Sequence, residues 1–131
     1  MYSIIIDTSS ILFGFENMKD VFEIARKRWH GARLLIPGGA IRELTKKARN
    51  SGKKGSYAKA ALASLHGITV VPMRSSSNVD SWIVANARPI KAIVITNDTA
   101  LAKRLLETGV RVFKLSISGS LRAFVSTHSK N

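Results

Sequence analysis

Apolar runs and helix-like segments alternate along nearly the whole chain. Short apolar runs at residues 2–6, 33–36, 68–72, 92–95 and 110–115 predict buried strands. Between them, apolar residues recur at helical spacing, which predicts helices at residues 17–30, 40–48, 56–66, 79–87 and 98–108. This alternation predicts an α/β fold of three layers, α/β/α, with a central parallel sheet of four to five strands.

Length and composition narrow the class of protein. The 131 residues suit one domain, with a core at about 2–115 and a C-terminal extension at 116–131. In the extension, Leu121, Phe124 and Val125 would allow a short docked helix, and residues 127–131 are expected to fray. The absence of cysteine excludes disulfides, zinc–thiolate sites and thiol nucleophiles. No apolar run reaches membrane-spanning length, so we expect a cytoplasmic protein without a membrane partner.

The charge balance is strongly basic. Lys and Arg number 21 against 8 Asp and Glu, a formal net charge of +13, which favours RNA or another polyanion over a merely solvated basic surface. The segment 46–59 contains basic residues and no acid, and glycines 52 and 55 predict a mobile loop within it. We expect RNA phosphates to contact Lys46, Lys47, Arg49, Lys53 and Lys54. Tyr57 is the candidate for base stacking, whereas Trp29 and Trp82 are expected in the core.

Four of the acids follow apolar runs or lie in the opening turns of predicted helices. These are Asp7, Glu43, Asp80 and Asp98. In a parallel sheet such positions meet at the carboxyl edge of the strands. Two like charges about 4 Å apart cost roughly 4 kcal/mol at an intermediate dielectric, so a cation or protons must compensate for them. We therefore predict a catalytic site that binds Mg²⁺ or Mn²⁺ through all four acids and activates water against a phosphodiester.

Hydroxyl groups accompany these acids. Thr8, Ser9 and Thr96 are expected to orient the carboxylates or hold a bound water. A simpler interpretation exists for three of the acids taken singly. Asp98 could cap a helix, Asp80 could be an acid favoured by a helix dipole, and Glu43 could pair with Lys46 or Lys47.

The acidic motifs together resemble the PIN-domain family. The matching segments are IIIDTSS with Asp7, IRELTKKA with Glu43, DSWIVANA with Asp80, and VITNDTALAKRLLETGV with Asp98, and they extend over residues 2–115. The resemblance implies a PIN-like fold, Mg²⁺ or Mn²⁺ at the acids, single-stranded or structured RNA as substrate, and frequent dimerisation. Ser81 stands where some relatives carry a second Asp, which leaves one or two bound ions open.

The resemblance implies a metal-dependent endoribonuclease, and two branches of the family fit. One comprises small archaeal PIN proteins akin to the small-subunit processome endonuclease, which implies rRNA or other RNA processing and a pre-ribosomal partner. The other comprises VapC-type toxins, which implies an antitoxin partner. From a different class, a non-catalytic RNA-binding ribosome-assembly module also fits the charge. A phospho-acceptor signalling domain is disfavoured, because Pro72, Met73 and Arg74 follow the third predicted strand, where that class needs an Asp.

Overall fold

The computed structural model describes residues 2–74 and 77–125. The strands in this part of the chain are β1 (Ser3–Ile6), β2 (Arg33–Pro37), β3 (Thr69–Val71), β4 (Ala92–Ile95), β5 (Val112–Leu115) and β6 (Leu121–Ala123). The helices are α1 (Thr8–Glu16), α2 (Val21–Arg28), α3 (Gly38–Ala48), α4 (Lys53–Ala63), α5 (Val79–Asn86) and α6 (Thr99–Glu107). Among the described residues, no helix combines the length and apolar character needed to cross a bilayer.

All six strands form one sheet in the order β3-β2-β1-β4-β5-β6. The first five are mutually parallel, and β6 runs antiparallel to β5. Because the chain builds outward in both directions from β1, the strand order reverses between β1 and β4. In open α/β sheets, such a reversal leaves a crevice at the carboxyl ends of the two strands. Ile6 and Ile95, the last residues of these strands, lie in direct register.

Helices cover both faces of the sheet, as the predicted three-layer fold requires. One face packs against α1, α2, α3 and α4, and the other against α5 and α6. The β1 isoleucines explain why this strand is central, since Ile4 and Ile6 enter the first cluster and Ile5 enters the second. Trp29 is buried in the first cluster and Trp82 is partly buried against the second, in agreement with their expected core positions.

The first helix was missed in the sequence, and the next one begins later than predicted. Asn17 does not start a helix, because it lies at the C-terminal end of α1. Asp20 caps α2 instead, and its side chain accepts hydrogen bonds from the amides of Phe22 and Glu23. Consequently Asp7 stands directly between β1 and α1.

The C-terminal extension contains a strand where a short docked helix was expected. Leu121 is part of β6, which pairs with β5 in the register Leu115 to Leu121. The Ser116 amide donates to the Ser120 carbonyl, which closes the turn that brings the chain back antiparallel. The prediction of a helix was wrong because this pairing depends on the neighbouring strand. The expected fraying at 127–131 lies outside the described residues.

The segment around Lys53 and Lys54 is helical, so the predicted mobile loop is wrong there. Both lysines and Gly55 form the first turn of α4. A Cβ atom at Gly55 would lie 1.9 Å from the Asn50 carbonyl oxygen, so glycine is needed here for close backbone contact and not for mobility. This contact packs the start of α4 against the end of α3.

Candidate active site at the carboxyl edge of the sheet

Asp7 lies at the strand reversal, where β1 ends beside β4. Its amide donates to the Ile95 carbonyl at 2.9 Å, which continues the pairing of the two strands by one residue. Asp7 also occupies the cap position of α1, yet its side chain makes no capping hydrogen bond. The buried carboxylate is instead held by hydroxyl groups. A simple capping role therefore does not explain this acid.

Two hydroxyls hold one oxygen of Asp7. Ser9 Oγ donates to Asp7 Oδ2 at 2.6 Å, and Thr96 Oγ1 donates to the same oxygen at 2.8 Å. Thr96 Oγ1 also accepts from the Asp98 amide at 3.1 Å, so one fully buried hydroxyl links two acids. Within the described residues, Oδ1 of Asp7 accepts no hydrogen bond from the protein, which leaves that oxygen available to a ligand.

A second network fixes the loop after β4, and no local pattern in the sequence indicates it. Ser10 Oγ donates to Asn97 Oδ1 at 2.7 Å, and the backbone N–H of Asn97 donates to Ser9 Oγ at 3.0 Å. The Asn97 side chain also makes two hydrogen bonds to the backbone of Leu115 in β5. Its nitrogen donates to the Leu115 carbonyl, and its oxygen accepts from the Leu115 amide. These bonds join α1, β4 and β5, and they hold the backbone that carries Asp98.

Glu43 reaches the same edge from α3. Its Oε1 accepts a hydrogen bond from Thr8 Oγ1 at 2.7 Å, which ties the second turn of α3 to the start of α1. Gly39 permits the close approach of α3 to α5, since a Cβ atom there would lie 2.7 Å from Val79 Cγ2. Glu43 therefore sits between the starts of α1 and α5, and no lysine neutralises it within salt-bridge distance among the described residues.

Asp98 and Asp80 lie at the N-terminal ends of α6 and α5. Asp98 caps α6, with Oδ1 accepting from the Leu101 amide at 3.1 Å, so the capping interpretation holds for this acid. Asp80 lies in the first turn of α5, whose cap is Asn78. In Asp7, Glu43 and Asp98 alike, the recorded protein hydrogen bonds go to a single carboxylate oxygen. The fold thus positions these three acids through one oxygen each.

The electrostatics indicate that the four acids are neighbours. Burial raises the pKa of Asp80, and the charges of Asp7, Asp98 and Glu43 raise it further, whereas Arg104 lowers it. In residues 2–74 and 77–125, the single ion pair joins Glu23 to Arg26, far along the chain from these carboxylates. The four acids, which we call the carboxylate edge, therefore concentrate negative charge that Arg104 offsets only in part, and none of them forms an ion pair among the described residues.

The donor set suits a hard, partly hydrated cation. All the available atoms are carboxylate or hydroxyl oxygens, which Mg²⁺ and Mn²⁺ prefer. Among the described residues, however, no group of three or more His, Cys, Asp or Glu side chains closes around one point as a metal cage. Mg²⁺ is commonly held by one or two carboxylates and several waters. The residues therefore fit an ion of that kind and do not fit an ion enclosed by protein alone.

Comparison with known proteins identifies the family. The family described as PIN like domain matches residues 4–117, which is most of the chain and includes the whole carboxylate edge. The chain belongs to the PIN-like domain family. No curated protein matches the sequence significantly.

Solved structures with the same fold cover nearly the whole PIN-like domain. The PIN domain endonuclease Utp24 is 24% identical with a TM-score of 0.75, covering 93% of this chain and 90% of its own. A domain of a functionally unknown protein from Methanocaldococcus jannaschii is 21% identical with a TM-score of 0.64, covering 88% of this chain and 92% of its own. VapBC-1 from nontypeable Haemophilus influenzae is 19% identical with a TM-score of 0.60, covering 84% of this chain and 96% of its own. At these identities the likeness establishes the fold alone.

The residues of the PIN-like domain that we predict to contact RNA lie beyond the carboxylate edge, along α3 and α4. Lys46 and Lys47 lie in the last turn of α3, and Arg49 is its C-cap. Lys53 and Lys54 start α4, and all five of these cations are exposed. Tyr57 is only partly exposed, one turn farther along α4. A cleft of about 280 Å³ beside Glu43 is lined by Lys46 and by Arg42, a cation that the sequence interpretation did not single out.

Proposed function

We propose that this PIN-like domain is a metal-dependent endoribonuclease that hydrolyses RNA phosphodiester bonds at the carboxylate edge. The observation that carries the proposal is the mutual proximity of four acids in a chain of net charge +13, expressed in the raised pKa of Asp80. A protein with so few acids has concentrated half of them where their repulsion costs stability. Binding of a cation would offset that cost, and the basic remainder of the surface attracts a polyanion.

Each residue of the site has a specific task in the proposal. Asp7, Glu43, Asp80 and Asp98 would hold Mg²⁺ or Mn²⁺ through carboxylate oxygens that make no hydrogen bond to the described part of the protein. Thr96 and Ser9 keep Asp7 in one orientation, and Thr8 does the same for Glu43. When bound, the ion supplies Lewis acidity toward water and the phosphate oxygens. The hydroxyls act as positioning residues, because they touch the acids and not the reacting atoms.

The basic stretch consists of Lys46, Lys47, Arg49, Lys53 and Lys54, and we propose that it holds the RNA backbone. Its cations are exposed and begin one turn after Glu43, so phosphates on either side of the cut bond can reach them. Tyr57 would stack on a base if its partly buried ring is reached by an unpaired nucleotide. Loss of one phosphate contact should reduce the salt dependence of binding to a single strand by a slope of about 0.7.

The biological setting is proposed from the fold relatives. RNA processing, with a pre-ribosomal partner, is favoured because the endonuclease Utp24 shares the fold over 93% of this chain. A VapC-type toxin with an antitoxin partner is the alternative, since VapBC-1 has the same fold. A homodimer and a cytoplasmic location remain part of the proposal in either setting.

A cleavage assay tests the catalytic claim. Wild type and Asp7→Asn are incubated with a structured RNA in Mg²⁺ or Mn²⁺, and Asp20→Asn serves as the control that removes the same charge at the α2 cap. We expect Asp7→Asn to lose at least about a hundredfold in rate, the scale of a lost electrostatic stabiliser, and Asp20→Asn to retain activity. Equal cleavage by wild type and Asp7→Asn would refute the catalytic role of the carboxylate edge.

A second candidate function is a non-catalytic RNA-binding module for ribosome assembly. It is favoured by one observation, the absence of a preformed three-ligand metal cage among the described residues. This candidate predicts salt-dependent RNA binding with no cleavage at any ion or enzyme concentration. The same assay separates the two, because cleavage that depends on Asp7 excludes the module.

A further inference from the structure

A basic cleft lies at the opposite edge of the sheet from the carboxylate edge. It forms where the parallel strands begin, since Ser3 of β1 is in register with Arg33 of β2 and with Ala92 of β4. Arg111 precedes β5 at the same edge, and its carbonyl accepts a bond from the Val94 amide. Because β1 spans four residues, about 13 Å of strand separates this edge from Asp7. The cleft is therefore distinct from the candidate active site.

The walls of this cleft combine cations with one aromatic ring. Its volume is about 280 Å³, and its lining includes Tyr2, Arg88, Lys91 and Arg111. Tyr2 is 50% exposed, and its ring packs at a tilt against the buried Trp29, with the ring centroids 6.5 Å apart. The other lining residues are small or apolar, and no Asp or Glu is among them. We call this feature the amino-edge cleft.

Lys91 is held in the cleft by a backbone conformation that lysine rarely adopts. Its φ is +56°, in the left-handed region. The Ala92 amide donates to the Ala87 carbonyl and the Lys91 amide donates to the Arg88 carbonyl, which is the Schellman pattern at a helix end. Lys91 occupies the position where glycine is usual, and glycines do adopt positive φ at residues 31, 67 and 109 of this chain. Keeping a lysine here, despite the strain, points to a use for its charge.

We propose that the amino-edge cleft binds one nucleotide unit of an RNA strand. A base would stack on Tyr2, and the adjoining phosphates would contact Arg88, Lys91 and Arg111. Three cations without an acid among them suit phosphate, and an exposed aromatic ring suits a base of any sequence. The proposal rests on the proposed function only in taking RNA as the ligand, and it does not need cleavage.

RNA fits these observations better than an acidic protein surface does. The cleft volume lies just below the range of ligand sites, which starts at about 300 Å³, and it suits a single planar group more than a helix or strand. An acidic protein would use the cations but would have no need of the Tyr2 ring. The aromatic wall therefore decides between the two classes of partner.

Photo-crosslinking locates the bound base. A short single-stranded RNA carrying 5-iodouridine is irradiated with the full chain bearing Asp7→Asn, which keeps the RNA intact, and the crosslinked peptides are mapped. We expect one crosslink at Tyr2, and we expect Tyr2→Leu to abolish it and to weaken binding about fivefold or more. Crosslinks confined to residues 42–57 would overturn the proposal.

Lys91→Gly separates a role in binding from a role in folding. The substitution relieves the positive φ, so the urea midpoint should rise, while RNA affinity should fall and the salt slope should decrease by about 0.7. Lys103→Gln, an exposed change of equal charge on α6, is the control. Equal affinity in the two variants would overturn the proposal. So would displacement of RNA by polyglutamate together with full binding by Tyr2→Leu, which would indicate an acidic protein partner.

The outcome of these experiments does not depend on the proposed nuclease activity. Binding is measured with the Asp7→Asn variant, which does not cut the RNA, and cleavage is measured with the wild type, whose amino-edge cleft is intact. If Tyr2 does not crosslink while the wild type cleaves RNA, only the proposal for the amino-edge cleft is refuted. If Tyr2 crosslinks while the wild type is inactive, only the proposed nuclease function is refuted.

Discussion

Thr96 offers a sharp test of how the site is held together, because one buried hydroxyl serves two acids. Replacing it by the isosteric valine keeps the volume and removes the hydrogen bond to Asp7 Oδ2, recorded at 2.8 Å. It also removes the acceptor for the Asp98 amide, recorded at 3.1 Å. Ser9 remains bonded to Asp7 Oδ2 at 2.6 Å, so the carboxylate keeps one of its two donors. The substitution therefore tests hydrogen bonding with little change in packing.

The magnitude follows from the kinds of bond that are lost. A hydrogen bond to a charged group contributes about 1.5–3 kcal/mol, and an unsatisfied partly buried amide costs a further ~1 kcal/mol or more. We expect Thr96→Val to lower the free energy of unfolding by about 2–4 kcal/mol on this basis. Cleavage should also fall, because Asp7 gains rotational freedom at the point where an ion would bind. Thr96→Ser, which keeps the hydroxyl, should recover most of both losses.

The assays are urea unfolding followed by tryptophan fluorescence and Mg²⁺-dependent cleavage of a structured RNA. Thr108→Val is the matched control, since Thr108 Oγ1 donates only to a neutral carbonyl, that of Leu105, near the end of α6. The control should cost no more than about 1.5 kcal/mol, the upper range for a neutral hydrogen bond. Equal losses of stability and activity at Thr96 and Thr108 would refute the claim that Thr96 organises the acids.

Two further substitutions probe the electrostatics and the packing around the site. Asp80→Asn should stabilise the ion-free protein at pH 7. Because the pKa of Asp80 is raised on folding, its carboxyl destabilises the folded state only at pH values where it ionises. The gain in the free energy of unfolding should therefore vanish below the unfolded pKa, near pH 3.8. Urea unfolding in EDTA at pH 3 and pH 7 measures this gain, and an equal gain at both pH values would contradict the assigned cause. Gly55→Ala should destabilise by about 1–3 kcal/mol through overpacking against Asn50. Lys59→Ala on the same helix should be nearly neutral by thermal unfolding, and equal melting points for the two variants would contradict the close contact.

Much of the fold was predictable because the strands are short apolar runs that stand out in the sequence. The run Ile4–Ile6 is buried on both faces and ends at an acid, so both the strand and its carboxyl-edge residue could be identified from local pattern. The predicted α/β/α layers and the central parallel strands are confirmed by the sheet order and by the fold relatives. The proximity of the four acids followed from the same reasoning, while their catalytic and metal-binding roles stay predictions.

The elements that the sequence did not reveal depend on contacts distant along the chain. Helix α1 is rich in large apolar residues around Gly14 and has little polar face, so its pattern did not distinguish a helix from a loop. Strand β6 is a three-residue strand with mostly exposed residues, and it forms because β5 offers it an edge. The structural role of Asn97 could not be recognised either, since its side chain bonds to the backbone of Leu115, which lies 18 residues away.

The single-oxygen anchoring of the acids bears on how the protein would behave during purification. Zinc-finger folds collapse when their metal is withdrawn, because the ligands have no other support. Here hydroxyls and a helix amide keep Asp7, Glu43 and Asp98 in place whether or not an ion is bound to their carboxylates. A chelator should accordingly strip any ion without melting the chain, and simple readdition of the salt should restore the loaded state within the time of mixing.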